Sequence, residues 1–129
     1  MAGGAFPDAM VRAMFFDREG ARCFKCGRFL LWHERGYGWS AHHKKARGMG
    51  GTRRVMTPAD GLILCGSGTT GCHGWVEANR AVAMDLGYLI PKNATTSEFA
   101  ADRVRVRRDD GTWWLLTTSG RAVEVEGVR

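Results

Sequence analysis

The residues of this chain best suited to chemistry are three of its four histidines and all four of its cysteines. His42 and His43 are adjacent, and His73 directly follows Cys72. Hydrolysis of a phosphodiester needs a base that activates water and a cation that neutralises the phosphate. Imidazole can serve either as that base or as a ligand of the cation. The three histidines therefore predict a metal-dependent phosphodiesterase site.

The histidine pair can divide these two tasks if it lies on a strand. The segment 37–44 has the residue pattern of a strand, in which neighbouring side chains point to opposite sides. One histidine can then face a metal ion while the other faces the substrate water. We expect His73 to reach the metal from the start of a following helix. Glu77 lies four residues further on, over the same helical face.

The spacing of the four cysteines predicts a structural zinc site. Cys23 and Cys26 have the C-x-x-C spacing at which two thiolates can bind one tetrahedral ion. Cys65 and Cys72 enclose a glycine-rich segment of six residues, longer than the usual spacer of about two to four. Because no sulfur is left over, one closed four-cysteine site is the economical assignment. The alternative is four reduced core thiols without metal.

The apolar pattern predicts an α+β fold in one domain over residues 1–129. Asp8 is placed to cap an N-terminal helix that Gly20 ends. A second helix is expected to bury Trp75, Val82 and Leu86 on one face. The predicted elements are helices over 8–19 and from Cys72 or His73 to about Leu86, with strands over 29–33, 37–44, 61–65, 104–107, 113–117 and 123–125.

The chain is basic, with a formal net charge of +6, which predicts attraction to polyanions. Nucleic acid is favoured, because the sequence contains no amphipathic basic helix of the membrane-surface type. A glycine- and arginine-rich loop follows the histidine pair and can lie close to phosphates. The candidate DNA contacts are Lys44, Lys45, Arg47, Arg53 and Arg54 in or beside this loop, and Arg80 in the second helix.

The sequence also predicts a cytoplasmic location. Charged residues interrupt the first twenty positions, so no signal peptide is expected there. No stretch approaches the length of a membrane span. In a reducing compartment the four cysteines are better explained by metal than by disulfides.

The order of these features resembles the HNH nucleases, which are built on a ββα-metal core. The shared features are a C-x-x-C pair, a strand ending in His-His, a Gly- and Arg-rich loop, a short apolar strand, and Cys-His opening a helix. The text HHKKARGMGG…PADGLILCGSGTTGCHGWVE resembles in particular the small HNH endonucleases encoded by actinobacterial phages. The resemblance implies a motif core over about 21–87, followed by a small antiparallel β extension over about 100–126.

The resemblance also implies a role for each matching residue. His43 would be the general base, working as the neutral imidazole. His42 and His73 would bind a catalytic divalent cation such as Mg²⁺, Mn²⁺ or Ni²⁺, and Glu77 is a further candidate ligand. Asp60 stands where the family has asparagine, and an ionised aspartate only accepts hydrogen bonds. We expect Asp60 either to order the hairpin by accepting backbone N–H bonds or to lie toward the metal.

The function implied by the resemblance is a metal-dependent DNA endonuclease that nicks or cuts double-stranded DNA, with packaging (terminase) proteins of a phage as further partners. One alternative is a catalytically weak or inactive, zinc-stapled DNA-binding accessory protein, which the aspartate at position 60 favours. Another is an RNA-binding zinc knuckle whose tryptophans stack on bases. Those tryptophans are Trp39, Trp75, Trp113 and Trp114.

Overall fold

A computed structural model describes residues 5–45 and 56–127, which form a small mixed α+β structure with two antiparallel sheets. The predicted fold class is therefore confirmed at this level. No helix within the described ranges is both long and apolar enough to cross a membrane. The elements are α1 (Asp8–Arg12), β1 (Trp39–His43), β2 (Gly61–Cys65), α2 (Gly71–Ala78), α3 (Arg80–Asp85), β3 (Val106–Arg107), β4 (Trp113–Leu116) and β5 (Ala122–Val125).

The N-terminal helix is present but changes its winding. Helix α1 continues directly into a π-helical segment over Ala13–Arg18. Gly20, with a φ of +64°, follows as the predicted stop. The predicted capping role of Asp8 is wrong, because Asp8 is the first residue of the helix. Its carboxylate pairs instead with Arg12 at 3.4 Å and with Arg35 at 3.1 Å.

The predicted strand over 29–33 is wrong. Within this segment Phe29 forms an isolated bridge to Arg22, and a 3₁₀ turn over Trp32–Glu34 follows. The indole N–H of Trp39 donates to the carbonyl oxygen of Leu31 at 2.9 Å. A partner strand would have needed this carbonyl oxygen as a hydrogen-bond acceptor. The segment therefore folds over the buried indole instead of joining a sheet.

Strands β1 and β2 form an antiparallel hairpin close to the predicted bounds. The register runs from Trp39 opposite Cys65 to His43 opposite Gly61. All five residues of β2 are buried, as the continuous apolar run indicated. The hairpin therefore carries the histidine pair at one end and a cysteine at the other.

The prediction of one continuous second helix is wrong, because Asn79 separates α2 from α3. Asn79 has φ −129° and ψ 54°, and its side-chain amide donates to the carbonyl of Trp75 at 2.9 Å. A local bond of this kind competes with the helical backbone. The break reorients α3, so Val82 is 50% exposed instead of buried, while Ala83 is buried.

The C-terminal β extension forms a separate sheet in the order β3-β4-β5. Strand β3 is shorter than predicted, with only Val106 and Arg107 paired to β4. The hydrophobic core draws on every part of the structure, including Phe15 after α1, Leu62 in β2 and Leu116 in β4. This shared core fixes the hairpin against its surroundings and so fixes the positions of the histidines.

Candidate functional site

The structure brings the four cysteines together. The sulfur atoms of Cys23, Cys26, Cys65 and Cys72 all lie within 4.8 Å of one another, and those of Cys26 and Cys65 are 3.9 Å apart. A tetrahedral ion with metal–sulfur bonds of about 2.3 Å holds its sulfurs about 3.8 Å apart. The cluster could therefore hold a metal ion with little rearrangement, as the spacing of the cysteines predicted.

The backbone around the cysteines already points at the sulfurs. The N–H of Cys26 donates to Cys23 Sγ at 3.5 Å, and the N–H of Cys72 donates to Cys65 Sγ at 3.3 Å. A hydrogen bond from Cys72 lowers the pKa of Cys23 to about 5, and the same contact raises the pKa of Cys72. Cys23 thus favours the thiolate, the form that binds metal. Both cysteine pairs are arranged for ligation.

His42 is held in the tautomer that a metal ligand needs. The side chain is buried, and its Nε2–H donates to the carbonyl oxygen of Tyr88 at 2.7 Å. A carbonyl can only accept, so the proton is on Nε2 and the lone pair is on Nδ1. Burial lowers the pKa of His42 to about 4. His42 is therefore neutral near pH 7 and has Nδ1 available for a cation.

Ser40 fixes the tautomer of His73. The Ser40 hydroxyl donates to the carbonyl of Gly66 at 3.1 Å and lies 2.6 Å from His73 Nδ1. Because a hydroxyl has one hydrogen, Ser40 Oγ accepts from Nδ1–H, which leaves the lone pair of His73 on Nε2. Burial lowers the pKa of His73, against an opposing effect of Glu77. Ser40 thereby connects the glycine-rich cysteine loop to the histidine.

Glu77 completes a three-residue cluster. One ligand atom each from His42, His73 and Glu77 lies within 4.8 Å of the others. Glu77 Oε2 is 3.8 Å from His73 Nε2, and Arg80 donates to Glu77 Oε1 at 2.7 Å. Two neutral imidazoles and a carboxylate suit a divalent first-row cation. The arrangement could bind such an ion, and the Arg80 guanidinium would hold the carboxylate in place.

His43 shares a cavity with this cluster. A cavity of about 260 Å³ is lined by His42, His43, His73, Glu77 and Arg80, together with Ala41 and Leu89. The His43 ring stacks on Phe6, with centroids 4.3 Å apart and planes 16° from parallel. The strand alternation therefore leaves His42 buried among the ligand atoms and His43 half-buried at the cavity wall. The candidate base and the candidate cation ligands are thus next to each other.

No family model, curated protein or solved structure matches this chain. A larger cavity of about 780 Å³ lies between α3 and the C-terminal sheet. Its walls contain no histidine or cysteine among the described residues, and they mix the acids Asp85, Glu98 and Asp102 with Arg103 and Arg105. Of these two cavities, the smaller one contains the clustered histidines of the described residues.

Asp60 orders the turn that leads into β2. Its carboxylate accepts from the backbone N–H of Thr57 at 2.7 Å and from the Thr57 hydroxyl at 3.3 Å. The Thr57 hydroxyl in turn accepts from the N–H of Ala59, and Thr57 and Asp60 together form a capping box. The backbone carbonyl of Asp60 accepts from the N–H of Lys44 at 2.9 Å. Of the two roles predicted for this residue, the contacts match the ordering of the hairpin.

The residues predicted to contact DNA lie in different surroundings in the structure. Lys44 as a phosphate contact is wrong, because its side chain is fully buried and donates to the carbonyl of Ala101 at 2.8 Å. This burial lowers the pKa of Lys44 to about 7. Lys45 donates to the carbonyl of Ala94 at 3.0 Å, whereas Arg80 is half-exposed at the cavity. Three further candidates, Arg47, Arg53 and Arg54, lie outside the described residues.

Sequence reasoning missed three groups that contact the histidines. Ser40 could have been found, because it lies two residues before His42 and strand alternation places both on one face. The carbonyl of Tyr88 and the ring of Phe6 gave no local signal, since both are distant in sequence from the histidines. These contacts depend on the tertiary fold.

Replacing Ser40 with alanine should weaken Mn²⁺ binding to the histidine cluster by about 10–100-fold, because His73 loses the acceptor that fixes its tautomer and ring orientation. The affinity can be measured by isothermal titration calorimetry. The matched control is Ser119→Ala, since Ser119 is exposed in a C-terminal turn. Equal Mn²⁺ affinity in Ser40→Ala and the wild type would show that this hydroxyl does not support the ligand.

Proposed function

We propose that this protein is a metal-dependent DNA endonuclease of the HNH type. The observation that carries the proposal is the cluster of His42, His73 and Glu77 ligand atoms within 4.8 Å, with His43 in the wall of the same cavity. The layout of hairpin β1-β2 followed by helix α2 supports it, because this is the element order of a ββα-metal core. The chemistry of a base beside a divalent cation site is that of phosphodiester hydrolysis.

In this proposal His43 is the general base. It takes a proton from a water molecule, whose oxygen attacks the phosphorus while the bond to the 3′ oxygen breaks. The leaving 3′ oxygen gains a proton from solvent, which gives a 3′-hydroxyl and a 5′-phosphate. A divalent ion such as Mg²⁺, Mn²⁺ or Ni²⁺, held by His42, His73 and Glu77, would neutralise the phosphate and the leaving oxygen.

The remaining residues have supporting roles. A zinc ion bound by the four cysteines would join the C-x-x-C turn to the segment between β2 and α2, and so would fix the start of the helix that carries His73. Asp60 orders the turn before β2, because its carboxylate accepts a hydrogen bond from the N–H of Thr57. This structural task needs only a hydrogen-bond acceptor. Arg80 holds the Glu77 carboxylate.

The proposed substrate is double-stranded DNA. The net charge of +6 favours a polyanion, and Arg80 presents a cation beside the cavity. Contacts of this type would be made mainly to the phosphate backbone, so affinity should depend strongly on salt and weakly on sequence. On the basis of the resemblance alone, we also propose that the protein acts beside phage packaging proteins in the cytoplasm of a host.

The proposal is tested by incubating the purified protein with supercoiled plasmid. The protein is first treated with mild EDTA that leaves the cysteine-bound metal in place, and is then given Mg²⁺, Mn²⁺ or Ni²⁺. We expect conversion to nicked or linear DNA only after a divalent cation is added. Cleavage that persists in EDTA, or no cleavage with any of the three ions, would contradict it.

The second candidate is a DNA-binding accessory protein with a disabled nuclease site. The observation that favours it is Asp60, whose buried carboxylate is engaged by Thr57 where the resembled family has a neutral amide. Asp60→Asn separates the two functions. If the wild type binds DNA without cutting it and only Asp60→Asn cleaves, the accessory function is correct. If the wild type cleaves, aspartate substitutes for the asparagine.

A further inference from the structure

We propose that the N-terminal segment is a positioning device for the proposed general base, with Phe6 as the residue that orients the His43 ring. The inference rests on the proposed function, since it assigns His43 the task of proton abstraction. Apolar periodicity alone assigns this segment only to core packing. Three contacts at one end of the hairpin indicate a more specific role.

The first contact is the stack of Phe6 on His43. The ring centroids are 4.3 Å apart and the planes only 16° from parallel, so the phenyl ring stacks on one face of the imidazole. Phe6 is itself 6% exposed and directly precedes Pro7, whose carbonyl accepts from the N–H of Val11. The phenyl ring is therefore fixed by the core and by the start of α1. His43 is the last residue of β1, so this support acts where the strand ends.

The second contact explains why position 61 is glycine. Gly61 has φ −135° and ψ 161°, a conformation open to any residue. A β-carbon at this position would nevertheless lie within 2.8 Å of Phe6 Cε2, closer still to Phe6 Cζ, and 2.9 Å from Met14 Cε. Gly61 is also the register partner of His43. Phe6 thus occupies the space that a side chain at position 61 would fill, and this places its ring against the imidazole of His43.

The third contact is a buried ion pair that fixes β2 opposite His43. Arg18 makes two bonds to the Glu19 carboxylate, at 2.6 and 2.7 Å, and both side chains are inaccessible to solvent. Arg18 also donates to the carbonyls of Pro58 at 2.7 Å and Gly61 at 2.8 Å. Glu19 accepts from the N–H of Ile63 at 3.3 Å. The pair thereby binds the outer edge of β2 as a neighbouring strand would.

These contacts matter because a general base must be aligned with the water it deprotonates. An error of about 1 Å in the position of a catalytic group can cost about 10²-fold in rate. Phe6 restrains rotation of the His43 ring, while Arg18 and Glu19 hold the backbone of the opposite strand. Phe6 is a positioning residue, since it acts through His43 and not on the substrate.

The test replaces Phe6 with leucine, which keeps an apolar side chain but removes the flat ring. We expect kcat for plasmid cleavage to fall by at least about tenfold with KM for DNA nearly unchanged. In NMR spectra of histidine-labelled protein, the His43 ring protons should lose the upfield shift produced by the stacked phenyl. The matched control is Leu116→Ala, a fully buried residue of β4 in the other sheet, which should lower stability but change neither kcat nor the His43 resonances.

Gly61→Ala provides a second variant that retains Phe6 and displaces it. It should reproduce both the loss of kcat and the change in the His43 resonances. Unmoved His43 resonances in Phe6→Leu, or a kcat equal to that of Leu116→Ala, would overturn the inference. If the wild type itself does not cleave DNA, the proposed function fails and the catalytic role of Phe6 fails with it, while the NMR comparison still reports whether Phe6 orients the ring.

Discussion

Replacing Cys65 with serine will yield a chain that binds no zinc and does not fold at 25 °C. Zinc bound by a four-cysteine site contributes an apparent ~10–16 kcal/mol near neutral pH, whereas a whole domain is stable by about 5–15 kcal/mol. Cys65 is buried at the end of β2 and its sulfur is 3.9 Å from that of Cys26. Losing this ligand removes the connection between the C-x-x-C turn and the hairpin. We therefore expect a metal ion at the four cysteines to decide whether this chain folds.

The experiment measures zinc content by mass spectrometry and folding by circular dichroism. The matched control is Ile63→Val, a fully buried residue of the same strand, which should cost only about 0.5–1.5 kcal/mol and retain the metal. We also expect Cys65→Ser to lose solubility, because the unfolded chain exposes its core. Recovery of a stable, folded, zinc-free Cys65→Ser protein would show that the cluster has no structural metal.

Replacing His73 with alanine will abolish divalent cation binding at the cavity and reduce cleavage by at least about 10²-fold. The variant removes one of the three proposed ligands, while the Glu77 carboxylate keeps its hydrogen bond from Arg80. Without the cation, the developing negative charge on the phosphate and the leaving oxygen is not neutralised, an effect worth several kcal/mol. The fold should persist, because the four cysteines and the hairpin are intact.

The measurements are Mn²⁺ affinity by calorimetry and the rate of plasmid cleavage under saturating Mg²⁺. The matched control is His33→Ala, which removes an exposed histidine from the 3₁₀ turn over Trp32–Glu34 and should leave both quantities unchanged. Wild-type Mn²⁺ affinity in His73→Ala would place the catalytic cation elsewhere. Loss of zinc from His73→Ala would show that the substitution disturbs the cysteine cluster as well.

The features of this site that could be predicted are those that follow from local spacing. Cys23 and Cys26 are close in sequence, and the alternation of β1 separates His42 from His43, so their arrangement is a property of short segments. The apolar run 61–65 likewise indicated a buried strand, and β2 is buried throughout. These are the parts of the fold in which sequence neighbours determine the geometry.

The features that could not be predicted depend on contacts between distant segments. A basic residue beside a Gly- and Arg-rich loop suggested a phosphate contact at Lys44, yet its ammonium group lies against the carbonyl of Ala101. The helix break at Asn79 arises from one side-chain bond to Trp75. Phe6 and the Arg18–Glu19 pair reach the hairpin only because the N-terminal segment, with the π-helical residues Ala13–Arg18, packs against β2. No periodicity in the sequence encodes these tertiary contacts.

We propose that His43 acts as a base beside a divalent cation. Plasmid cleavage by the wild type and by His43→Ala tests this role directly. Both proteins should bind one cation at the histidine cluster and bind DNA equally well, because His43 belongs to neither the ligand set nor the charged contacts. We expect nicked or linear plasmid with the wild type in Mg²⁺, and a rate lower by about 10²–10⁴-fold with His43→Ala. Equal cleavage by the two proteins would contradict it.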